Sequence, residues 1–242
     1  IGKANSMLAG RADRIALSLP HSTGLDKEEK LRAVLTGNPV RPEIIALTDV
    51  DYIPLTDKGD LRILVMGGSL GATVFSKVVP AALAGLSGEY KKRLNIIQQC
   101  READIEEAQK AYDDAGIKAQ LSTFIDDVAG ELEKAQLVIG RSGASTVAEV
   151  SVAGRPAIYV PYPHHKDQQQ KKNADSIADQ GGAWVMTEDG FTEEALLTRI
   201  ETFFQNPDIL TKAAQSAKEC GKPNAAKKLG NLVTAIIEDY TG

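Results

Sequence analysis

Cysteine is almost missing from this chain. Cys100 and Cys220 are its two examples and neither has CxxC spacing, which points to a reducing cytosol rather than a disulfide framework. Histidine is scarce as well: His21, His164 and His165 form no Cys/His cluster, so no structural metal site is expected. No apolar run comes near the roughly 20 residues that cross a bilayer. A basic excess is absent too. The net charge is −5, without the basic stripe of a nucleic-acid binder, and there is no internal repeat or low-complexity tract. The chain begins at Ile1 rather than Met, and residues 1–18 have the pattern of neither a signal nor a transit peptide. They read as a helix running into a short strand, Arg14 to Leu19, as though a domain had begun upstream.

What is present fits a globular protein. With 43% hydrophobic and 25% charged residues, the 242-residue chain can form one large α/β domain, or a domain with appendages. After Pro20 comes a loop-like stretch, a charged segment from Asp26 to Lys30, and a connector, Thr36 to Pro42, stiffened by two prolines. From Leu61 a regular alternation sets in. Apolar, β-branched runs at 62–66, 94–98, 136–139, 157–160 and 183–186, with a weaker one at 119–124, predict strands. Helical patterns separate them, at 72–86, 105–115, 128–134, 146–153 and 168–179, and three more follow at 193–204, 207–218 and 225–240. Strands alternating with helices predict an α/β fold with a doubly wound parallel sheet.

Ligands of such sheets sit beyond the carboxyl ends of the strands, so the loops that follow the strands carry the candidate chemistry. The most informative is Arg141-Ser-Gly, where an apolar run ends and a helix pattern starts at once. Unpaired backbone N–H groups and the positive end of a helix dipole make such a junction a seat for a phosphate or diphosphate. Gly143 allows close approach, Ser142, Ser145 and Thr146 add hydroxyls, and Glu149, a turn further in, can accept from a ribose diol. An ordinary capped helix after a strand has the same pattern.

The first strand is followed by Gly67, Gly68, Ser69 and Gly71, a second turn able to face a phosphate. The dinucleotide spacing G-x-G-x-x-G and its later acidic residue are absent, and tight-turn chemistry alone also explains these glycines. After the weak strand, Phe124 and Ile125 can frame a flat base, or belong to the core with Asp126 as a helix cap. After the fifth strand, Gln168, Gln169, Gln170 and Asn173 offer amides suited to sugar hydroxyls, with Asp167 placed to cap the helix. Arg41, in the connector, has the planar fork that pairs with phosphate oxygens.

Five motifs occur in order: Thr36-Gly-Asn-Pro-Val-Arg, Gly67-Gly-Ser-Leu-Gly-Ala, Phe124-Ile-Asp-Asp, Arg141-Ser-Gly-Ala-Ser-Thr-Val-Ala-Glu and His165-Lys-Asp-Gln-Gln-Gln. Together they resemble the MurG family, bacterial transferases that add N-acetylglucosamine to lipid I to make lipid II. The resemblance implies the C-terminal half of a GT-B fold, Rossmann-like, binding UDP-N-acetylglucosamine. It implies uracil read by the backbone of Ile125, ribose held by Glu149, and diphosphate held by Ser69, Arg41 and the amides of Ala144, Ser145 and Thr146. Val147 and Ala148 of the same turn are counted among the UDP-N-acetylglucosamine-binding residues, and Gln169 and Gln170 would contact the sugar. No cofactor is implied, no metal, and no nucleic acid.

The same resemblance divides the chain into residues 1–42, a remnant of an N-terminal acceptor domain with its connector; 43–222, the donor domain; and 223–242, a closing helix. The lipid I acceptor and the general base would belong to the absent N-terminal domain, so no catalytic residue is named and the isolated chain is expected to be inactive. Peripheral attachment to the cytoplasmic face of the inner membrane is implied for the whole protein. Cys100 and Arg101 depart from the family, standing where relatives carry a glycine-containing turn. Two other functions compete: a non-catalytic UDP-sugar-binding subunit of a two-part transferase, and a UDP-sugar epimerase.

Overall fold

The computed structural model describes the chain except Ile1, His21, residues 69–71, residues 165–167 and Gly242. Near the amino terminus two short strands, β1 (Ile15–Leu17) and β2 (Ala33–Leu35), pair in parallel. Between them lies a helix, Lys27–Leu31, in the segment that reads only as charged. Its start is a capping box: Asp26 accepts from Glu29 N–H at 2.8 Å while Glu29 accepts from Asp26 N–H at 2.9 Å. That reciprocal pair satisfies two otherwise orphaned donors. The D-x-x-E spacing was the available signal.

The main sheet has six strands: β3 (Leu61–Met66), β4 (Leu94–Gln99), β5 (Lys118–Ser122), β6 (Leu137–Gly140), β7 (Ala157–Tyr159) and β8 (Ala183–Val185). All neighbours are parallel, in the order β5-β4-β3-β6-β7-β8. The central strands are apolar on both faces because helices cover both. Alternation within β3 shows it: Ile63 and Val65 enter one core with Phe75, Val79, Leu196, Ile200 and Phe203, while Leu64 enters the other with Val138, Val147, Val150 and Ile177.

Strand order reverses between β3 and β6, so crossovers leave that seam in opposite directions and open a crevice at its carboxyl edge. The backbones are close there. A Cβ on Gly140 would lie 2.9 Å from the carbonyl oxygen of Met66, which bars any side chain and brings the two strand-end turns together.

Elsewhere the elements differ from the sequence reading mainly at their ends. The weak strand stops at Ser122, leaving Thr123 and Phe124 in the loop. Asp127, not Asp126, caps the helix Val128–Lys134, accepting from Gly130 N–H at 2.8 Å. Asp167 lies outside the described residues. A turn of helix at Pro42–Ile45 and another short helix, Gly88–Lys92, were not foreseen. The closing helix, Ala225–Thr241, returns to the amino-terminal segment, where the Tyr240 hydroxyl donates to Asp13 at 2.7 Å. No described helix is long and apolar enough to cross a membrane.

Candidate functional site

At the seam, β6 ends at Gly140 and the helix Ala144–Val152 begins after Gly143 with no side-chain cap. Val147 N–H bonds the Gly143 carbonyl at 2.9 Å, which closes the first turn. The amides of Ala144, Ser145 and Thr146 precede that turn's first bond and have no acceptor within the helix. They point out of the helix end with its positive dipole. Ala144 and Ser145 are exposed and Thr146 and Ala148 half-buried, whereas the Val147 side chain is in the core. Val147 therefore offers the turn itself rather than a reaching group.

The hydroxyls differ in availability. Ser142 is fully buried and its Oγ donates to the Gln170 carbonyl at 2.8 Å, while Asn173 Nδ2 donates to the Ser142 carbonyl at 3.0 Å. These bonds tie the helix Gln169–Ala178 to the seam; Ser142 is a brace, and the hydroxyls left at the helix end are those of Ser145 and Thr146. Gln170 is braced too, its Oε1 accepting from Tyr162 N–H at 3.0 Å. Gln169 is exposed, with its amide nitrogen near Gly2. Gln168 has φ of 50°, the one positive value at a non-glycine among the described residues. Such left-handed backbone is held by its surroundings and gathers at ligand-contacting loops.

Opposite stands the turn after β3. Gly67 is buried and Gly68 has φ of 80°, a conformation that favours glycine. Ser69 lies outside the described residues. Ile125 is buried with Leu132, Val147 and Val150, so only its backbone can face a ligand, while Phe124 beside it is 68% exposed.

Two arginines organise the charge. Arg41 leads into Pro42–Ile45 and its guanidinium forks onto Glu149: Nε donates to Oε1 at 2.9 Å and Nη2 to Oε2 at 3.2 Å. Two residues singled out separately, 108 positions apart, thus meet. Arg141 stands out in the sequence only as part of a motif, yet it links four elements. It donates to the carbonyls of Val160 and Pro161, pairs with Glu188, and lies over the rings of Phe75 and Tyr162 at 5.4 and 5.5 Å. Its place just before Ser142-Gly143 was a usable signal; Glu188 gave none, because only the fold carries it there. Among the described residues no group of His, Cys, Asp or Glu could hold a metal ion.

A parallel sheet of this order, which superposes on a solved structure of that class, is the Rossmann-like C-terminal half of a GT-B glycosyltransferase. The chain belongs to glycosyltransferase family 28: residues 62–229 match that family's C-terminal domain. It is 44% identical over 242 residues to a UDP-N-acetylglucosamine--N-acetylmuramyl-(pentapeptide) pyrophosphoryl-undecaprenol N-acetylglucosamine transferase of Paramagnetospirillum magneticum, covering 100% of this chain and 65% of that protein. It is 46% identical over 233 residues to the protein of the same name in Rhodospirillum centenum, covering 96% and 62%. The crystal structure of Acinetobacter baumannii MurG superposes with a TM-score of 0.79 at 32% identity, over 97% of this chain and 64% of that one. The chain thus spans a little under two thirds of the length of these relatives.

Proposed function

We propose that this chain holds the UDP-N-acetylglucosamine donor of a transferase that glycosylates an undecaprenyl-pyrophosphate-linked N-acetylmuramyl-pentapeptide, converting lipid I to lipid II. The names of the relatives support the donor and acceptor. One observation carries the site: a helix end with three orphan amides at the seam of β3 and β6, with Glu149 and Arg41 beside it. In this reading the diphosphate rests on the amides of Ala144, Ser145 and Thr146, with Ser69 and Arg41 completing its cradle. Ile125 reads uracil through its backbone, Glu149 holds the ribose, and Gln169 and Gln170 face the sugar.

The chemistry follows from charge. An acceptor hydroxyl attacks the anomeric carbon from the face opposite the nucleotide, inverting it, and UDP departs. Negative charge grows on the leaving diphosphate, where fixed amide dipoles and a guanidinium stabilise the transition state. We assign residues 1–42 and the closing helix to a second unit that takes the lipid acceptor and supplies the general base. The whole protein would then work at the cytoplasmic face of the membrane, attached peripherally.

Calorimetric titration tests the donor reading. UDP-N-acetylglucosamine should bind this chain, and Glu149→Ala should weaken it by about 1–3 kcal/mol, the cost of leaving a buried hydrogen-bond partner unmatched. Equal affinities in the two proteins would overturn the role of Glu149.

A further inference from the structure

Resting on the donor reading, we infer that the Arg41–Glu149 ion pair is a specificity gate that makes the ribose site selective for nucleoside diphosphates over nucleosides. The pair is fork on fork, with both carboxylate oxygens of Glu149 engaged at 2.9 and 3.2 Å. A ribose diol needs those same oxygens as acceptors. Sugar and guanidinium therefore compete for one carboxylate.

The two partners differ in freedom. Glu149 projects from the second turn of Ala144–Val152, on the same face as Ser145, and its side chain is 18% exposed. Arg41 has a fixed root and a loose arm. Pro42 opens its turn, and the fully buried Ile44, in one cluster with Val147 and Val150, pins that turn against the helix, while the Arg41 side chain is 51% exposed. The arm can change partner without moving the backbone.

A diphosphate on the helix end gives the guanidinium a second, more highly charged acceptor that it can grip with the same fork. A nucleoside diphosphate thus exchanges one ion pair for another and frees Glu149 for its own ribose. A bare nucleoside offers Arg41 nothing, and must break the pair without replacing it. Its apparent affinity is its intrinsic affinity multiplied by the fraction of molecules with the pair open. Selectivity arises from a penalty on the wrong ligand as well as a contact to the right one.

Uridine and UDP titrated against the wild-type chain and Arg41→Ala separate this gate from a plain phosphate contact. The variant should bind UDP about tenfold or more weakly, yet bind uridine roughly two- to fivefold more tightly, the range that a half-exposed pair allows. A second measurement uses the wild-type protein alone. Uridine is uncharged, so its affinity should rise with added salt, which screens the pair. Uridine affinity that is unchanged or lower in Arg41→Ala, or indifferent to salt in the wild type, overturns the gate while leaving Arg41 a phosphate ligand. Failure of UDP itself to bind the wild type, or indifference of both ligands to Glu149→Gln, overturns the donor reading instead.

Discussion

The two edges of the main sheet each carry an arginine, and they are used in opposite ways. At the amino edge Arg155 is 1% exposed, and Nε and Nη2 donate to the carbonyls of Leu132 and Glu133 at 2.6 and 2.9 Å. Those carbonyls lie in the last turn of the helix Val128–Lys134, where the Leu132 oxygen also accepts from Ala135 N–H at 3.3 Å and a cation answers the dipole. The guanidinium also lies 5.7 Å from the Tyr52 ring, whose hydroxyl donates to the Gln136 carbonyl, and Gln136 in turn accepts from Arg62 N–H. Burial lowers the pKa of Arg155, yet both carbonyls that accept its hydrogen bonds are backbone and cannot leave. At the carboxyl edge Arg41 is half-exposed and bound to a side chain. Backbone partners make a joint; a side-chain partner makes a contact that a ligand can replace.

That contrast is sharpest at Arg155. Arg155→Met should lower unfolding free energy by about 3 kcal/mol, since the buried Leu132 carbonyl and the part-buried Glu133 carbonyl lose a charged donor. Urea unfolding measures the loss, and the molecules that remain folded should bind UDP as before. A variant that kept its stability but lost the ligand would reverse the assignment of the two edges.

Gly140 asks whether position or partner matters. It lies at the carboxyl edge, yet what a Cβ would strike at 2.9 Å is the backbone carbonyl of Met66. Gly140→Ala should cost about 1–3 kcal/mol by forcing β3 and β6 apart. Unchanged thermal unfolding would show that the seam yields, and would weaken the view that the two turns are held in register.

Tyr52 gives a smaller effect with a pH signature. Tyr52→Phe should cost about 1 kcal/mol at neutral pH, one hydrogen bond to a carbonyl. Burial raises the phenol pKa of Tyr52, Tyr112 and Tyr159 above the ordinary 10.0. The neutral phenol is the folded form, so this stability is fully present below pH 10.0 and falls as pH climbs toward the raised folded values. Each such phenol contributes up to about 1.4 kcal/mol per pH unit in that window. Stability plotted against alkaline pH should therefore fall less steeply in Tyr52→Phe. Identical slopes would mean that the hydroxyl is solvated.

The sheet was legible because burial on both faces writes unbroken apolar runs, and all six strands of the main sheet were found. β2 and the helix Lys27–Leu31 were not, since a short strand with two exposed residues carries no such run. The geometry of the candidate site was legible as parts. Gly143, Ser145 and Glu149 are close in sequence, so the helix end could be read directly. The Arg41–Glu149 pair could not, because 108 residues separate the partners and only the packing of Ile44 on the helix joins them. The brace from Ser142 to Gln170 was hidden for the same reason: a serine before a glycine looks like a free donor until its acceptor is known.

Arg41 sets the lower limit of the series. Its fork on Glu149 has good geometry, but half-exposure screens the charge and ordering a long arm costs entropy, so Arg41→Ala should change unfolding free energy by less than about 1 kcal/mol. The root of its turn is held by Pro42 and Ile44, and neither depends on the guanidinium. Measured beside Arg155→Met under the same denaturant, the two arginines should differ several-fold in stability, with the order reversed for affinity toward UDP. A loss from Arg41→Ala as large as that from Arg155→Met would mean that the pair holds the connector to the helix, and a contact that carries the fold could not be given up to a ligand.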